Sequence, residues 1–492
     1  HDSVPAGRQT GHSKPWEADH WGARVTKGRR AAALLLLAAA VGLAALGQTY
    51  FFHRREYLWD GVVFHGCAVL CFLLAWRLSR PPQRRAARRR SFRLDAWLRR
   101  RPVPAVLMVV GLFLSYVASM LSQDRLQDHG TGDVVALWVM GVAAVGLAAL
   151  WPASWPPPHP RDWTRRLREV RRETWLEVGT VAGLTVLAFV LRVAALGSVP
   201  YTLGGDEAWH GQLARQVLAG ELRNPFSLGY MSMPTFFYWP LSWSLWLVGN
   251  SMVGLRLPAA LAGAATVPAL YLFARDLWGR RTALLGAVYL ATYDYHIHYS
   301  RLGANNVWDP LFVVLTLWAL ERGLGSADEL TQARSFILAG LIMGLSAYFY
   351  TGARLLPLLL AVYLGYLWVR KCFRPSRAEV LGETDLTGPR WHLLLLLLLA
   401  FLVAAGPMLG YALTHPNEWN ARINQVGIIQ SGWLAREPGL TGKSTAQILS
   451  EQFLRSAGAF HVFPDRTVWY GADRPLLGLL AGAFTVLGMG WA

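Results

Sequence analysis

The sequence predicts an all-α polytopic membrane protein, and three observations lead to that class. Of the 492 residues, 53% are hydrophobic and only 16% are charged, whereas soluble domains carry about 25% charged residues. The apolar residues occur in blocks of roughly 17–21, the length that crosses a hydrocarbon core as an α-helix. Alternating ten-residue segments, which are typical of outer-membrane barrels, do not stand out in this sequence.

The formal net charge of +18 does not indicate nucleic-acid binding. The arginines cluster in short loops beside apolar blocks, which is the pattern that orients membrane helices. The cysteines indicate neither a disulfide framework nor a zinc site, because Cys67 and Cys71 lie one turn apart in an apolar block and Cys372 lies in a basic loop.

Twelve spans are predicted from the apolar blocks in chain order. They lie near 31–50, 61–77, 104–121, 134–151, 176–196, 256–274, 281–299, 307–322, 334–350, 355–370, 391–411 and from 476 onward. Short basic loops stay in the cytoplasm, and the segments 24–30, 77–101 and 161–172 are basic. The loop that begins at Gly197 is therefore expected outside the cytoplasm of a bacterial inner membrane.

These spans suggest three regions. Residues 1–30 are expected to form a flexible cytoplasmic tail, and 31–175 an N-terminal four-helix membrane module with basic cytoplasmic loops. Residues 176–492 are expected to form a transmembrane core with external segments at 197–255 and 412–475. The apolar run is still open at Ala492, so we expect the chain to continue.

The segment 234–249 is apolar enough to be counted as a span, but charge argues against it. If it crossed, the basic segments 279–281 and 370–374 would both lie outside. The segment is also rich in aromatic residues, as expected at the level of the headgroups. We therefore predict a juxtamembrane helix.

Polar residues cluster at the predicted outer helix ends, where Asp206, Glu207 and His210 follow two glycines. Asp206 as a simple N-cap is an alternative, but Trp209 three positions later offers no capping box. At 100° per residue, Asp206 and His210 share the face that the helix should bury. That geometry favours a role in a site.

Three arginines, Arg256, Arg301 and Arg354, are expected on the same side. Each one alone could reach the headgroups as a snorkelling side chain, but together they suit a bound phosphate. Further candidates for the pocket are His210, Tyr299, Asn306 and Asp309. His296 and His298 are two positions apart and point to different sides of a helix, so no metal site is predicted.

Several short motifs together resemble a known family. They are Gly205-Asp206-Glu207, Arg256-Leu257-Pro258-Ala259-Ala260-Leu261, His298-Tyr299-Ser300-Arg301 and Ala353-Arg354-Leu355-Leu356-Pro357. In order and spacing they resemble the protein O-mannosyltransferase and aminoarabinose-transferase group (glycosyltransferase family 39-like), over roughly 176–492. The resemblance implies a helical bundle of the C fold (GT-C) with external juxtamembrane helices, here preceded by about four extra transmembrane helices.

The resemblance also implies a function. Such enzymes transfer a sugar from a polyprenyl-phosphate donor to a protein, glycan or lipid acceptor on the extracytoplasmic face. Asp206 is then the catalytic general base with Glu207 beside it, the transfer inverts C1, and Arg256, Arg301 and Arg354 bind the carrier phosphate. No cofactor beyond the lipid-linked donor is firmly implied, and a divalent metal is left open.

Two departures from the family pattern leave an alternative open. Asn305-Asn306 stand where many members have an acidic residue, and the spans in 31–151 lie outside the usual core. The alternative is a non-catalytic subunit or scaffold of a larger complex, with a protein partner docked through the N-terminal helices. A transporter is disfavoured, because the polar residues lie at helix ends rather than near the midplane.

Overall fold

The computed structural model describes residues 27–79, 101–151, 171–373, 391–464 and 474–491. These ranges contain helices and turns and no β-strand, which confirms the predicted all-α class. Most of the predicted tail 1–30 and the basic stretches 80–100 and 152–170 lie outside the described residues.

Eighteen α-helices lie in the described ranges. They are α1 (Lys27–His53), α2 (Leu58–Ser79), α3 (Pro102–Ser122), α4 (Gly132–Leu150), α5 (Arg172–Val193), α6 (Gly205–Ala219), α7 (Tyr238–Val248), α8 (Met252–Trp278), α9 (Arg280–Thr292), α10 (Asp294–Ser300), α11 (Trp308–Gly325), α12 (Glu329–Ser346), α13 (Leu356–Phe373), α14 (Trp391–Thr414), α15 (Pro416–Val426), α16 (Trp433–Thr441), α17 (Thr445–Gly458) and α18 (Leu479–Trp491). Four short 3-10 helices also lie in these ranges: one before α2, two before α7 and one before α13.

Eight of the helices in the described ranges are long and apolar enough to cross a membrane: α1, α2, α3, α4, α5, α8, α13 and α14. Helices also occupy the other four predicted spans. However, α9 and α18 have only 13 residues each, and α11 and α12 include charged residues such as Glu321 and Arg334. The predicted juxtamembrane helix is α7, whose 11 residues are too few to span a hydrocarbon core.

The predicted span 281–299 is not one helix. The backbone is extended at Tyr293 (φ −71°, ψ 114°), and this residue separates α9 from α10. The Arg192 guanidinium donates to the carbonyls of Leu290 (3.2 Å) and Ala291 (3.1 Å). It thereby satisfies groups that the end of a helix leaves unpaired, so the break is stabilised by a residue about a hundred positions earlier.

The described residues form two compact units. One contains α1, α2 and the chain from Ser450 onward, and its core packs Ala40, Ala44 and Ala68 against Ala483 and Leu487. The other contains residues 101–373 and 391–449.

The second unit includes two helices that the sequence assigned to an N-terminal four-helix module. Within it α3 and α4 pack on α14: Ser115 Oγ donates to the Val403 carbonyl at 2.7 Å, and Trp138 Nε1 to the Ala404 carbonyl at 2.8 Å. The contacts therefore group the helices differently from the predicted module 31–175. A separate function for that module stays a prediction.

Candidate active site

Helix α6 presents the predicted catalytic residues and begins directly after a short loop. Gly204 is its N-cap, with extended backbone (φ −70°, ψ 155°). Glu207 is the third helical residue, and its carboxylate accepts a hydrogen bond from the Gly204 amide at 3.3 Å, as in a capping box. Asp206 is not the N-cap, so the alternative interpretation of this residue is wrong.

The buried face of α6 contains Glu207, His210 and Ala214, which share one side of a helix. Asp206 is exposed. The prediction that Asp206 lies on the buried face with His210 is therefore wrong, and the inward carboxylate belongs to Glu207. The physical reason is that Glu207 has a buried cationic partner.

That partner is Arg256 near the start of α8. Its Nε donates to Glu207 Oε1 at 2.9 Å and its Nη2 to Oε2 at 3.0 Å, in a bidentate pair whose side chains are 0% and 1% exposed. Arg256 also donates to the carbonyls of Leu196, Pro200 and Thr202 at 2.9–3.2 Å. These contacts use all five N–H groups of the guanidinium, so Arg256 has none left for a phosphate.

Arg301 is also engaged by backbone. It donates to the carbonyls of Leu191, Arg192, Ala194 and Val199 at 2.6–3.1 Å, and it is buried. Since a helix leaves its last carbonyls unpaired, Arg301 completes the end of α5 and the following turn. Arg256 and Arg301 thus hold the segment 191–202 in place, which corrects their predicted role as phosphate ligands.

The loop 301–306 is fixed to α6 in two ways. The Gly303 amide donates to Glu207 Oε1 at 2.7 Å, and His210 Nδ1 lies 2.9 Å from the Gly303 carbonyl. A carbonyl only accepts, so Nδ1 is the donor. Burial lowers the pKa of His210, and the neutral imidazole therefore acts as an anchor for this loop.

The remaining predicted residues lie around a second place, the phenol of Tyr350. Asp206, Tyr299, Asp309 and Arg422 all lie within electrostatic range of that phenol. Asp206 is also in range of His210 and Tyr238. The Tyr350 phenol therefore lies near polar side chains from α6, α10, α11 and α15, among them the exposed carboxylate of Asp206.

Asp309 and Asn306 leave oxygen atoms without partners in this group. Asn306 Oδ1 and Asp309 Oδ1 are buried and accept no hydrogen bond from any described residue. A Cβ added at Gly352 would lie 2.3 Å from Asp309 Oδ2, so the backbone approaches the carboxylate as only glycine allows. Buried acceptors of this kind require a donor from water or a ligand. The neighbouring Asn305 instead donates to the Phe349 carbonyl at 2.9 Å and is structural.

Arg354 differs from the other two arginines. Its guanidinium lies over the Trp419 ring, 3.5 Å from the centroid, and donates to the Trp419 carbonyl at 2.6 Å and the Ser232 carbonyl at 3.4 Å. Like Arg301, it has no carboxylate partner among the ion pairs of the described residues, but it makes two hydrogen bonds where Arg301 makes four. Its charge therefore remains available to an anion.

Sequence reasoning missed the segment around Met231 and Ser232. Both residues have positive φ (53° and 60°), which is costly for residues other than glycine. The Ser232 hydroxyl donates to the carbonyls of Glu418 and Trp419 and accepts from the Arg422 amide. This strained turn places α15, and with it Arg422, beside the candidate site, and no local pattern in the sequence indicates it.

A surface pocket of about 1040 Å³ lies on another side of α6, lined by residues that include Gln212, Arg215 and Asn250. It contains none of the predicted site residues, and size alone does not make it the site. Among the described residues, no group of three His, Cys, Asp or Glu side chains is placed to hold a metal ion.

Comparison with known proteins gives matches to part of the chain. Residues 232–382 match the model of the family described as dolichyl-phosphate-mannose-protein mannosyltransferase. This range includes Arg256, Arg301 and Arg354 but begins after Asp206. No solved structure matches significantly.

Curated relatives carry the name undecaprenyl phosphate-alpha-4-amino-4-deoxy-L-arabinose arabinosyl transferase. The protein from Pseudomonas aeruginosa (strain UCBPP-PA14) is 32% identical over 215 residues, which cover 41% of this chain and 36% of the relative. That from Pseudomonas paraeruginosa (strain DSM 24068 / PA7) is 31% identical over the same coverage. The chain thus spans about a third of the length of these relatives. These matches confirm that the chain resembles membrane glycosyltransferases of the protein mannosyltransferase and aminoarabinose-transferase group.

Proposed function

We propose that this chain transfers a sugar from a polyprenyl-phosphate donor to an acceptor on the extracytoplasmic face of the bacterial inner membrane. The resemblance to lipid-phosphate-dependent transferases supports the class of donor. The observation on which the proposal rests is the exposed carboxylate of Asp206, which lies within electrostatic range of the Tyr350 phenol, as do Asp309 and Arg422. Arg354 lies four residues beyond Tyr350.

In this mechanism Asp206 is the general base. The acceptor oxygen attacks C1 of the sugar as the bond from C1 to the phosphate oxygen breaks, and Asp206 takes the acceptor proton. The polyprenyl phosphate leaves with the electron pair of the broken bond. Attack opposite to the leaving group inverts C1 through an oxocarbenium-like transition state. An exposed position suits Asp206 because a general base must reach the acceptor.

Arg354, together with Arg422, is the candidate ligand for the carrier phosphate. A guanidinium without a carboxylate partner can stabilise the negative charge that develops on the leaving phosphate. Glu207, Arg256 and Arg301 contribute by holding the loop that positions Asp206. Tyr299 and Asp309 are candidates for contacts with the sugar because they lie within electrostatic range of Tyr350. Asn306 is a candidate because its buried Oδ1 has no partner among the described residues.

The test replaces Asp206 by Asn and measures transfer from two synthetic donors, polyprenyl-phosphate mannose and polyprenyl-phosphate aminoarabinose. We expect transfer to fall by about 10²–10⁴-fold, the contribution of a positioned general base, with unchanged thermal stability. Glu221→Gln, a second exposed carboxylate on the same stretch of chain, is the matched control. If Asp206→Asn transfers as much as an active wild type, Asp206 is not the general base. If neither protein transfers sugar, the non-catalytic subunit is favoured.

The proposed face is tested by labelling. In a variant without native cysteines, Tyr201→Cys introduces a thiol at a position that is 94% exposed, close to Asp206. We expect a membrane-impermeant maleimide to label it in intact spheroplasts. Thr282→Cys, beside the basic residues Arg280 and Arg281, should be labelled only after lysis. The opposite pattern would place Asp206 in the cytoplasm and remove the basis for the proposed function.

A further inference from the structure

The first unit contains buried polar atoms that the proposed function does not use. Gln48 on α1 is 0% exposed and His65 on α2 is 6% exposed. His461 follows α17 and is half-buried. Three of their atoms, Gln48 Oε1, His65 Nε2 and His461 Nε2, are buried without a hydrogen-bond partner among the described residues. Such atoms among apolar helices are costly and call for an explanation.

The three side chains are close together. Gln48 Nε2 donates to the His461 carbonyl at 3.0 Å, and a Cβ added at Gly482 on α18 would lie 2.5–2.8 Å from the Gln48 amide atoms. A Cβ added at Gly47 would lie 2.0 Å from His65 Nδ1. The two imidazoles are within electrostatic range of each other. The cluster therefore lies where α1, α2 and α18 meet.

The hydrogen bonds of the cluster identify which of the unpaired atoms are acceptors. His65 Nδ1 lies 2.9 Å from the Gly61 carbonyl and must donate to it, which leaves Nε2 of the neutral ring as an acceptor. The His461 ring lies close to the Gly482 backbone, and its Nε2 is the buried nitrogen without a partner. Because the Gln48 amide nitrogen donates to a carbonyl, its oxygen is the unpaired atom. His65 Nε2 and Gln48 Oε1 are therefore both acceptors, and they cannot satisfy one another.

We propose that Gln48, His65 and His461 bind a divalent transition-metal ion of the Zn²⁺ type. The two Nε2 atoms supply imidazole ligands, Gln48 Oε1 supplies an oxygen ligand, and water completes a tetrahedral shell. Metal-bound histidines characteristically donate their other ring nitrogen to a backbone carbonyl or carboxylate, which fixes the tautomer. His65 already has that arrangement through the Gly61 carbonyl.

The site would have a structural rather than a catalytic role. It lies in the first unit, whereas Asp206, Tyr350 and Arg354 lie in the second. Its ligands come from α1, from α2 and from the chain between α17 and α18. An ion bound there would join segments about 400 residues apart in sequence and would stabilise the folded state by linkage.

The test uses the full chain, purified in detergent without a polyhistidine tag and stripped with a chelator. It is then dialysed against Zn²⁺ or Co²⁺, and the ions bound per chain are counted by mass spectrometry. We expect one ion per wild-type chain, a rise in the midpoint of thermal unfolding on adding Zn²⁺, and visible absorption of tetrahedral Co²⁺. His65→Phe, which retains a ring to stack on Phe51, should lower the affinity for the ion at least tenfold.

Two further variants distinguish loss of a ligand from loss of folding. Gln48→Met keeps both imidazoles and the side-chain volume, and it should weaken binding and change the Co²⁺ spectrum without abolishing folding. His129→Gln alters an exposed histidine of the second unit and should bind as wild type does. If wild type retains no ion, or if His65→Phe and Gln48→Met bind as wild type does, water alone satisfies these acceptors and the proposal fails. Neither result bears on sugar transfer.

Discussion

Two neighbouring carboxylates on α6 illustrate how differently two parts of this molecule use charge. Glu207 is buried, and its oxygens accept from Arg256, Gly303 and Gly204. Asp206, one residue earlier, is exposed and lies within electrostatic range of the Tyr350 phenol. The same contrast separates Arg256 and Arg301 from Arg354. A charge whose hydrogen bonds are all made within the protein builds the scaffold, and one that retains capacity is available for chemistry.

The largest effect is expected from breaking the scaffold pair. Glu207→Gln removes the charge that compensates the buried Arg256 guanidinium, and breaking such a pair costs about 3–5 kcal/mol. We expect a marked fall in the midpoint of thermal unfolding in detergent, with loss of transfer as a consequence. Glu221→Gln, which changes an exposed carboxylate, is the control. Normal stability combined with lost transfer would show that Glu207 acts in the chemistry and would erase the contrast with Asp206.

A smaller effect is expected from the arginine assigned to the carrier phosphate. Arg354→Gln should lower kcat/KM for the lipid donor about 10- to 100-fold, because a hydrogen bond to a charged group contributes about 1.5–3 kcal/mol. Initial rates over a range of donor concentrations measure this change. Arg436→Gln, at an exposed position on α16, should behave as wild type. An Arg354→Gln enzyme with unchanged kcat/KM would leave the phosphate without an assigned ligand.

The smallest effect concerns the strained turn beside the site. Met231→Gly places glycine at φ 53°, which removes about 1–2 kcal/mol of steric cost but adds flexibility to the unfolded chain. We expect a gain in stability of about 1 kcal/mol or less. Met233→Gly, at an ordinary φ of −69°, should destabilise the protein. If both variants lose stability equally, the positive φ at Met231 stores no strain.

The sequence predicts the helical class and the positions of most spans, because both depend on local composition and length. The break at Tyr293 escapes prediction, since the carbonyls there are satisfied by Arg192 on another helix. The orientation of α6 escapes it for a similar reason. Whether Asp206 or Glu207 points inward depends on which of them pairs with Arg256, 49 residues later along the chain.

The candidate site was predictable only in part. The motifs identified Asp206, Tyr299, Asp309 and Arg354, and the structure places them at or beside one group of polar side chains. Three arginines expected on one face indicated a phosphate site, yet spacing alone could not show that two of them bind backbone carbonyls. Arg422 and the turn at Ser232 lay outside every pattern, because a positive φ at methionine and serine leaves no mark in the sequence.

The hydrogen bonds to segment 191–202 limit which part of the protein could move to admit a long lipid donor. Arg256 and Arg301 hold this segment with seven hydrogen bonds to its carbonyls, and Arg256 makes two more to Glu207. Helix α15 is held by fewer contacts. The Ser232 hydroxyl and the Arg354 guanidinium donate to carbonyls of α15, and Arg354 also donates to the Ser232 carbonyl. Displacement of α15 would therefore break fewer hydrogen bonds than displacement of segment 191–202, and a phosphate that drew Arg354 away from Trp419 would remove one of the contacts that hold α15.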